Sequence, residues 1–252
     1  MEIVRSDANG VCTITLNRPS VYNSFNQTMA FQLQATLDAC SKDDSVRVIV
    51  ITGEGKAFSA GQDLGEATDN EGPTLTSIVR DHYNPIILKI REIEKPVIAA
   101  VNGVAAGAGA NIALACDITF AKKSASFIQA FSKIGLIPDS GGTFFLPRLI
   151  GMQKALALMM TGDKVSAEEA EKLNMIYKVI DDDDFFSEIT RFSEQLAMMP
   201  TRGLGLTKKA VNLGLFNSLE DQLELEEKLQ TQAGETDDFA EGVNAFLQKR
   251  SP

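Results

Sequence analysis

Residues 95–118 read KPVIAAVNGVAAGAGANIALACDI, and what they form decides the fold. The first part, 95–103, is a nearly unbroken apolar run of buried-strand length that closes on Asn-Gly. The second, 106–117, is rich in Ala and Leu and reads as a helix opening directly after that strand. Gly107 and Gly109 raise the question of a dinucleotide-binding turn. A full Gly-x-Gly-x-x-Gly needs glycine at 112, where Ile112 stands, and 125–130 lacks the Asp or Glu that would meet a ribose. A dinucleotide site is therefore rejected. Two readings remain: a helix N-terminus whose free N–H groups face a ligand oxygen gaining negative charge, and close helix–sheet packing through small residues.

Working outward, the same alternation of strand and helix recurs. VCTITLN (11–17) alternates and is β-branched, as a strand should be. Met29, Leu33, Leu37 and Cys40 lie at helical spacing, and VRVIVITG (46–53) is a second buried-strand run. ITFAKKSASFI (118–128) returns to strand character. From about 152 onward helical patterns dominate. Ser166 and Glu169 form a capping box, the run DDDD (181–184) suits a solvated loop or helix start, and Leu219, Leu223, Leu225 and Leu229 stripe a charged amphipathic helix. The plan is α/β, followed by a helical C-terminal part.

With 252 residues, 44% of them hydrophobic and 23% charged, the chain can bury a sizeable core. A net charge of -10 without a Lys/Arg block argues against nucleic acid as a partner. An anionic ligand would have to be held by local N–H groups or a few cations. The N-terminus has no export signal, and the apolar stretch 97–118 is too broken by Asn102, Asn111 and glycines to suit a membrane. Cys12, Cys40 and Cys116 have no metal-like spacing and fit reduced thiols in the cytoplasm. A single histidine, His82, leaves little for a Ser-His-Asp triad or a zinc site.

Three stretches offer chemistry. FSAGQDL (58–64) carries Ser59, Ala60 and Gly61 just after a strand, which allows a close backbone approach or merely a tight connection. NGVAAGAGAN (102–111) follows a second strand. GLIPDSGGT (135–143) holds Asp139 among turn formers. Taken together they suggest an oxyanion hole facing a base.

In this order and spacing the motifs resemble the crotonase (enoyl-CoA hydratase/isomerase) superfamily, from TLNRPSVYNSFN (15–26) to EGVNAFLQKRSP (241–252). The resemblance implies a crotonase-type ββα spiral over 1–195, a C-terminal helical trimerisation region over 196–252, and a homotrimer or dimer of trimers. It implies an acyl-CoA thioester substrate, with coenzyme A as part of the substrate and no separate cofactor or metal. It also implies that backbone N–H groups of Gln62 and Ala108 hold the thioester oxygen. The two glutamates of the family's hydratases would fall at Asn111 and Phe131, so efficient hydration is disfavoured.

Asp139 remains, in the loop where related isomerases carry an acid, and one carboxylate suits proton transfer between two carbons. Apolar Phe131, Ile137 and Phe144 are expected to bury it and raise its pKa. Dehalogenases of the superfamily also carry an acid here but rely on Trp and His. This chain has no Trp and a single His. A narrower resemblance, in HYNPII (82–87), AFSKIGLIPDSGGT and the tail, is to the phenylacetate branch of the family. Its members convert ring-1,2-epoxyphenylacetyl-CoA to an oxepin and shift a 3-enoyl double bond to the 2-position. The alternatives are a general 3,2-enoyl-CoA isomerase, a hydratase of β-oxidation, and a non-catalytic acyl-CoA-binding protein. Ala60, Asp63, Asn111, Phe131, His82 and Tyr83 are candidates to line the substrate site. Arg18 and Lys249 (or Arg250) are candidates for the CoA phosphates, with solvated surface charge as the simpler default.

Overall fold

The computed structural model describes residues 1–251. Among the described residues ten strands form two sheets. They are β1 (Ile3–Ala8), β2 (Val11–Leu16), β3 (Val48–Gly53), β4 (Ala57–Ser59), β5 (Val97–Val101), β6 (Val104–Ala106), β7 (Ile118–Lys122), β8 (Ser126–Ile128), β9 (Lys164–Ser166) and β10 (Lys178–Ile180). The larger sheet has the order β1-β2-β3-β5-β7-β10 and the smaller β4-β6-β8-β9. Apart from the antiparallel pairs β1–β2 and β8–β9, all neighbours are parallel.

Each turn of the chain lays one strand in the large sheet, steps to the small sheet for a three-residue strand, and returns through helix. The run 118–128, expected as one strand, is therefore two, with Lys123 and Ser124 at the step. Likewise the helix expected over 106–117 opens only at Ala108, because Ala106 ends strand β6. The β1–β2 hairpin closes on Asn9-Gly10, both at positive φ, the geometry for which Asn-Gly is favoured.

The apolar runs have a plain cause. β3 and β5 are buried on both faces. Ile49, Ile51, Val97, Ala99 and Val101 enter the main core between the sheets and helices. Val48, Val50, Ile98 and Ala100 face a second core under the helix Phe185–Ala197, which supplies Phe185, Ile189 and Ala197. A strand with two buried faces has no polar alternation.

Asn102, buried at the end of β5, accepts from Gly53 N (3.0 Å) and donates to Gly55 O (3.1 Å), stitching successive turns. Asn23 does the same for the N-terminal loop, donating to Glu54 O and Ala57 O. The helices Thr201–Gly214, Leu219–Gly234 and Asp237–Gln248 complete the chain. On the leucine stripe Leu229 is buried, whereas Leu219 and Leu223 are exposed in the single chain.

Candidate active site

The short parallel neighbours β4 and β6 end side by side, and their two exit loops come into contact. Gly61, at φ +88°, passes so close to β6 that a Cβ there would lie 2.8 Å from Ala106 O and 3.3 Å from Ala108 N. Gly109 meets Ser59 in the same way, with a built Cβ only 2.6 Å from Ser59 O. The small residues of both motifs thus serve close packing, and that packing brings two backbone donors together. Phe25 N donates to Gly61 O (2.7 Å) and Asp63 N to Phe25 O (2.8 Å), which turns the intervening Gln62 N–H to the other side. Ala108 opens the fully buried helix Ala108–Ala115, so its N–H has no intrahelical partner. Among the described residues neither N–H finds an acceptor. Two free donors placed in this way can share one ligand oxygen, and Ala108 adds the positive end of a helix.

Asp139 is half-buried in the turn before the helix Gly142–Ile150. Its backbone carbonyl accepts from Asn111 Nδ2 and Gly142 N, both at 2.8 Å. Its Oδ1 accepts from Ser140 Oγ at 2.9 Å. Burial pushes the carboxyl above its ordinary value, and the Ser140 hydrogen bond pulls part of the way back. The apolar wall differs from the expected one. Phe131 is buried, with its ring in van der Waals range of a Cβ built on Gly107, beside the helix start. Ile137 is 80% exposed in the single chain, and Phe144 packs on Phe145, Phe216 and Arg148. Neither of those two accounts for the burial of Asp139.

Asn111 is fully buried and engaged at both ends of its amide, since its Oδ1 also accepts from Gln129 Nε2 at 2.8 Å. It therefore stands under the Asp139 loop as a tie. Tyr83, also fully buried, donates its hydroxyl to Gln62 Oε1 at 2.7 Å. Burial raises its phenol well above the ordinary value, and the charges of Asp139, Glu66 and Asp63 add to this. Asp139, Gln62, Ala108, Asn111, Phe131 and Tyr83 thus converge.

The other candidates are engaged elsewhere. His82 lies edge-on to Phe31 (5.2 Å) of the helix Gln27–Lys42, and burial lowers its pKa against the opposing charges of Glu66 and Asp81. Asp63 caps the short helix Leu64–Ala67 and pairs with Arg18 at 2.9 Å. Arg18 also donates to Ser24 O (2.6 Å), so its guanidinium is held inside this cluster. Ala60 is exposed beside the loop, and its N–H donates to Tyr22 O. Lys249 is exposed at the end of the helix Asp237–Gln248.

Sequence reasoning missed Ser140 and Gln129. A serine in a turn motif and a glutamine after a strand carry no signal of their own until the loop is folded. Among the described residues no group of three or more His, Cys, Asp or Glu side chains could hold a metal ion, and no helix is long and apolar enough to cross a membrane.

The family model "Enoyl-CoA hydratase/isomerase" matches residues 6–252. The chain is 47% identical over 256 residues to the 1,2-epoxyphenylacetyl-CoA isomerase of Escherichia coli K12, covering 100% of this chain and 98% of that one. It is 44% identical over 245 residues to a probable enoyl-CoA hydratase of Rhodobacter capsulatus, covering 97% and 94%. A solved structure of an enoyl-CoA hydratase/isomerase homologue from Mycobacterium abscessus superposes with a TM-score of 0.93 at 35% identity, over 99% of this chain and 98% of that one. With its ββα spiral, its paired backbone donors and a match that runs to the last residue, the chain belongs to the enoyl-CoA hydratase/isomerase family.

Proposed function

We propose that the protein is an acyl-CoA isomerase in which Asp139 is the single acid/base and the N–H groups of Gln62 and Ala108 hold the thioester oxygen. The observation that carries this reading is the pairing of one carboxylate, raised in pKa by burial, with two unpartnered backbone donors. Such a carboxylate is a competent base near neutral pH. With a 3-enoyl thioester it takes a proton from C2, and the C–H electron pair moves toward the carbonyl. Negative charge gathers on the thioester oxygen between the two N–H groups, each worth about 2.7–4 kcal/mol of barrier where such donors have been removed. The same carboxyl then gives the proton to C4, and the double bond comes to lie between C2 and C3.

A ring-1,2-epoxide of a phenylacetyl thioester meets the same groups. There the carboxylate takes the C2 proton, and the released pair is pushed into the ring as the C–C bond of the epoxide breaks to give the seven-membered oxepin. The carboxyl then returns the proton to a ring carbon. The likeness to the Escherichia coli isomerase supports this substrate. Hydration is disfavoured, because neither the amide of Asn111, tied at both ends by hydrogen bonds, nor the ring of Phe131 can carry a proton as a carboxylate does. Coenzyme A enters as part of the substrate.

The same reading includes self-association through the C-terminal helices, where Phe239, Phe246 and Leu247 are exposed. It also includes a cytoplasmic location, in keeping with three reduced cysteines. The decisive experiment compares wild type with Asp139→Asn on 3-hexenoyl-CoA in deuterated buffer. It follows formation of the conjugated 2-enoyl thioester and deuterium at C2 and C4. A loss of at least about a hundredfold in the variant is expected. Equal rates, or no isomerisation by wild type, would sink the mechanism and favour a binding protein. The ring-epoxide thioester, assayed in parallel, separates the aromatic from the general 3,2-enoyl isomerase.

A further inference from the structure

The turn that carries Asp139 is built from a residue that fits it poorly. Gly142 N donates to Asp139 O, and the two residues between them, Ser140 and Gly141, have φ of +51° and +74°. Two successive positive φ values inside an i to i+3 hydrogen bond are the pattern of a type I′ turn. Its first central position favours Asn, Asp or Gly, because a β-carbon crowds the backbone there. Serine occupies it, only 1% exposed, and its hydroxyl is directed at Asp139 Oδ1. Strained backbone of this kind persists only where surrounding contacts hold it, and Asn111 supplies such a contact through the Asp139 carbonyl. Among the described residues no side chain other than Ser140 donates to this carboxylate, whose remaining donor is the backbone N–H of Asp139 itself, so Ser140 makes the two oxygens unequal.

We propose that Ser140 is a positioning residue that holds Oδ1 of Asp139 as a fixed acceptor and thereby makes Oδ2 the oxygen that carries the proton. This rests on the acid/base reading of Asp139 and specifies how that group works. In the ionised state the Oδ2 lone pair takes the C2 proton, and the C–H pair passes into the enolate. In the protonated state Oδ2–H returns that proton to C4, and the dienolate electrons close the C2–C3 double bond. Ser140 donates to Oδ1 throughout, so it need not turn over during the cycle. A carboxylate free to rotate would offer either oxygen and lose alignment at each proton transfer.

The hydroxyl also favours the charged form against burial. Tyr83, at the end of the π-helical segment Ile78–Tyr83, is a titratable neighbour of Asp139 and also feels the charges of Glu66 and Asp63. Asn111 of the helix 108–115 and Gln129 behind it are neutral.

The test measures kcat and KM for 3-hexenoyl-CoA across pH 4–9 in wild type, Ser140→Ala, Ser140→Gly and Asp139→Asn. Alanine removes the hydroxyl and keeps the β-carbon. Glycine removes the hydroxyl and relieves the strain, so it also folds where alanine does not. We expect the acidic limb of kcat/KM to move up by about 1 on the pH scale in both Ser140 variants. On the plateau, kcat should fall about tenfold with little change in KM. An unmoved limb in both, with Asp139→Asn inactive, overturns the role of Ser140 and leaves the acid/base reading standing. A limb that moves in the alanine variant alone assigns the effect to the backbone and also overturns it. Wild-type activity in Asp139→Asn overturns both.

Discussion

The side-chain amide of Asn111 reaches across 2.8 Å to the backbone carbonyl of Asp139. One turn earlier on the same helix stands Ala108, whose N–H at the helix start is the donor proposed above for the thioester oxygen. This bond ties the Asp139 loop to the helix that carries Ala108, the two residues proposed as base and oxyanion donor. Asn111→Ala should lower kcat by about 10- to 100-fold, the cost of a small misplacement. It should also destabilise the fold by about 1–3 kcal/mol through the partners left unsatisfied. Steady-state kinetics and urea denaturation check this. Full activity in the variant would mean that the turn positions Asp139 unaided.

Gly109 packs its backbone on Ser59, and the helix cannot approach β4 with a β-carbon there. Gly109→Ala should cost about 1–3 kcal/mol of stability. Its effect on kcat should exceed that on KM, since the two oxyanion donors move apart. A melting scan and a Michaelis curve suffice. An unchanged kcat would show that Ala108 N–H is not needed at its present position.

Burial raises the pKa of Asp139. A carboxyl held higher in the folded than in the unfolded chain stabilises the fold fully below the unfolded value, near about 3.9. That contribution is lost as pH rises through the folded value. At pH 7 the wild type therefore carries a buried charge that Asp139→Asn does not. The asparagine variant should melt at a higher temperature at pH 7, with the gap closing below about pH 4. Activity of the wild type should run the opposite way, falling as pH drops through the raised value. A variant less stable than wild type at pH 7 would contradict this.

Lys208 joins the C-terminal helix Thr201–Gly214 to the core, with its side chain 8% exposed. Its Nζ donates to Asp117 Oδ2 (2.8 Å), Ile90 O and Lys95 O. Lys208→Met removes the cation and leaves Asp117 with Arg91 alone as its ionic partner. A loss of about 2–3 kcal/mol is expected, below the usual cost of breaking a buried pair because Arg91 remains. Urea denaturation monitored by circular dichroism measures it. A loss under about 0.5 kcal/mol would make the helix independent of this tie.

The buried strands were legible because β3 and β5 are apolar on both faces and long enough to stand out. The three-residue strands of the small sheet were not, since three residues show no period. The β1–β2 hairpin carried its Asn9-Gly10 signal, but β1 faces largely outward and lacks an apolar pattern. Asp139 was legible as an acid among turn formers. Its partners were harder to see. Asn111 could be read as a missing glutamate, but its bond to a carbonyl 28 residues on depends on the folded loop. Ser140 gave no hint, because positive φ at a serine is a property of the turn and not of the residue. Arg18 looked available for a phosphate until Asp63, 45 residues away, was brought beside it.

β3 and β5 feed hydrocarbon to two cores at once, and this leaves the molecule with a problem of alignment. A strand displaced by one residue would exchange its faces and still bury apolar side chains, so polarity cannot tell the right register from the wrong one. That discrimination falls to bulk at the strand ends. Gly53, closing β3, lies where any side chain would strike the carbonyl of Ala57, and Gly103, after β5, lies where one would strike the carbonyl of Lys56. A slipped chain would drive Thr52 or Asn102 into a slot that admits only hydrogen. The two glycines act as detents, and the spiral keeps its count by what will not fit.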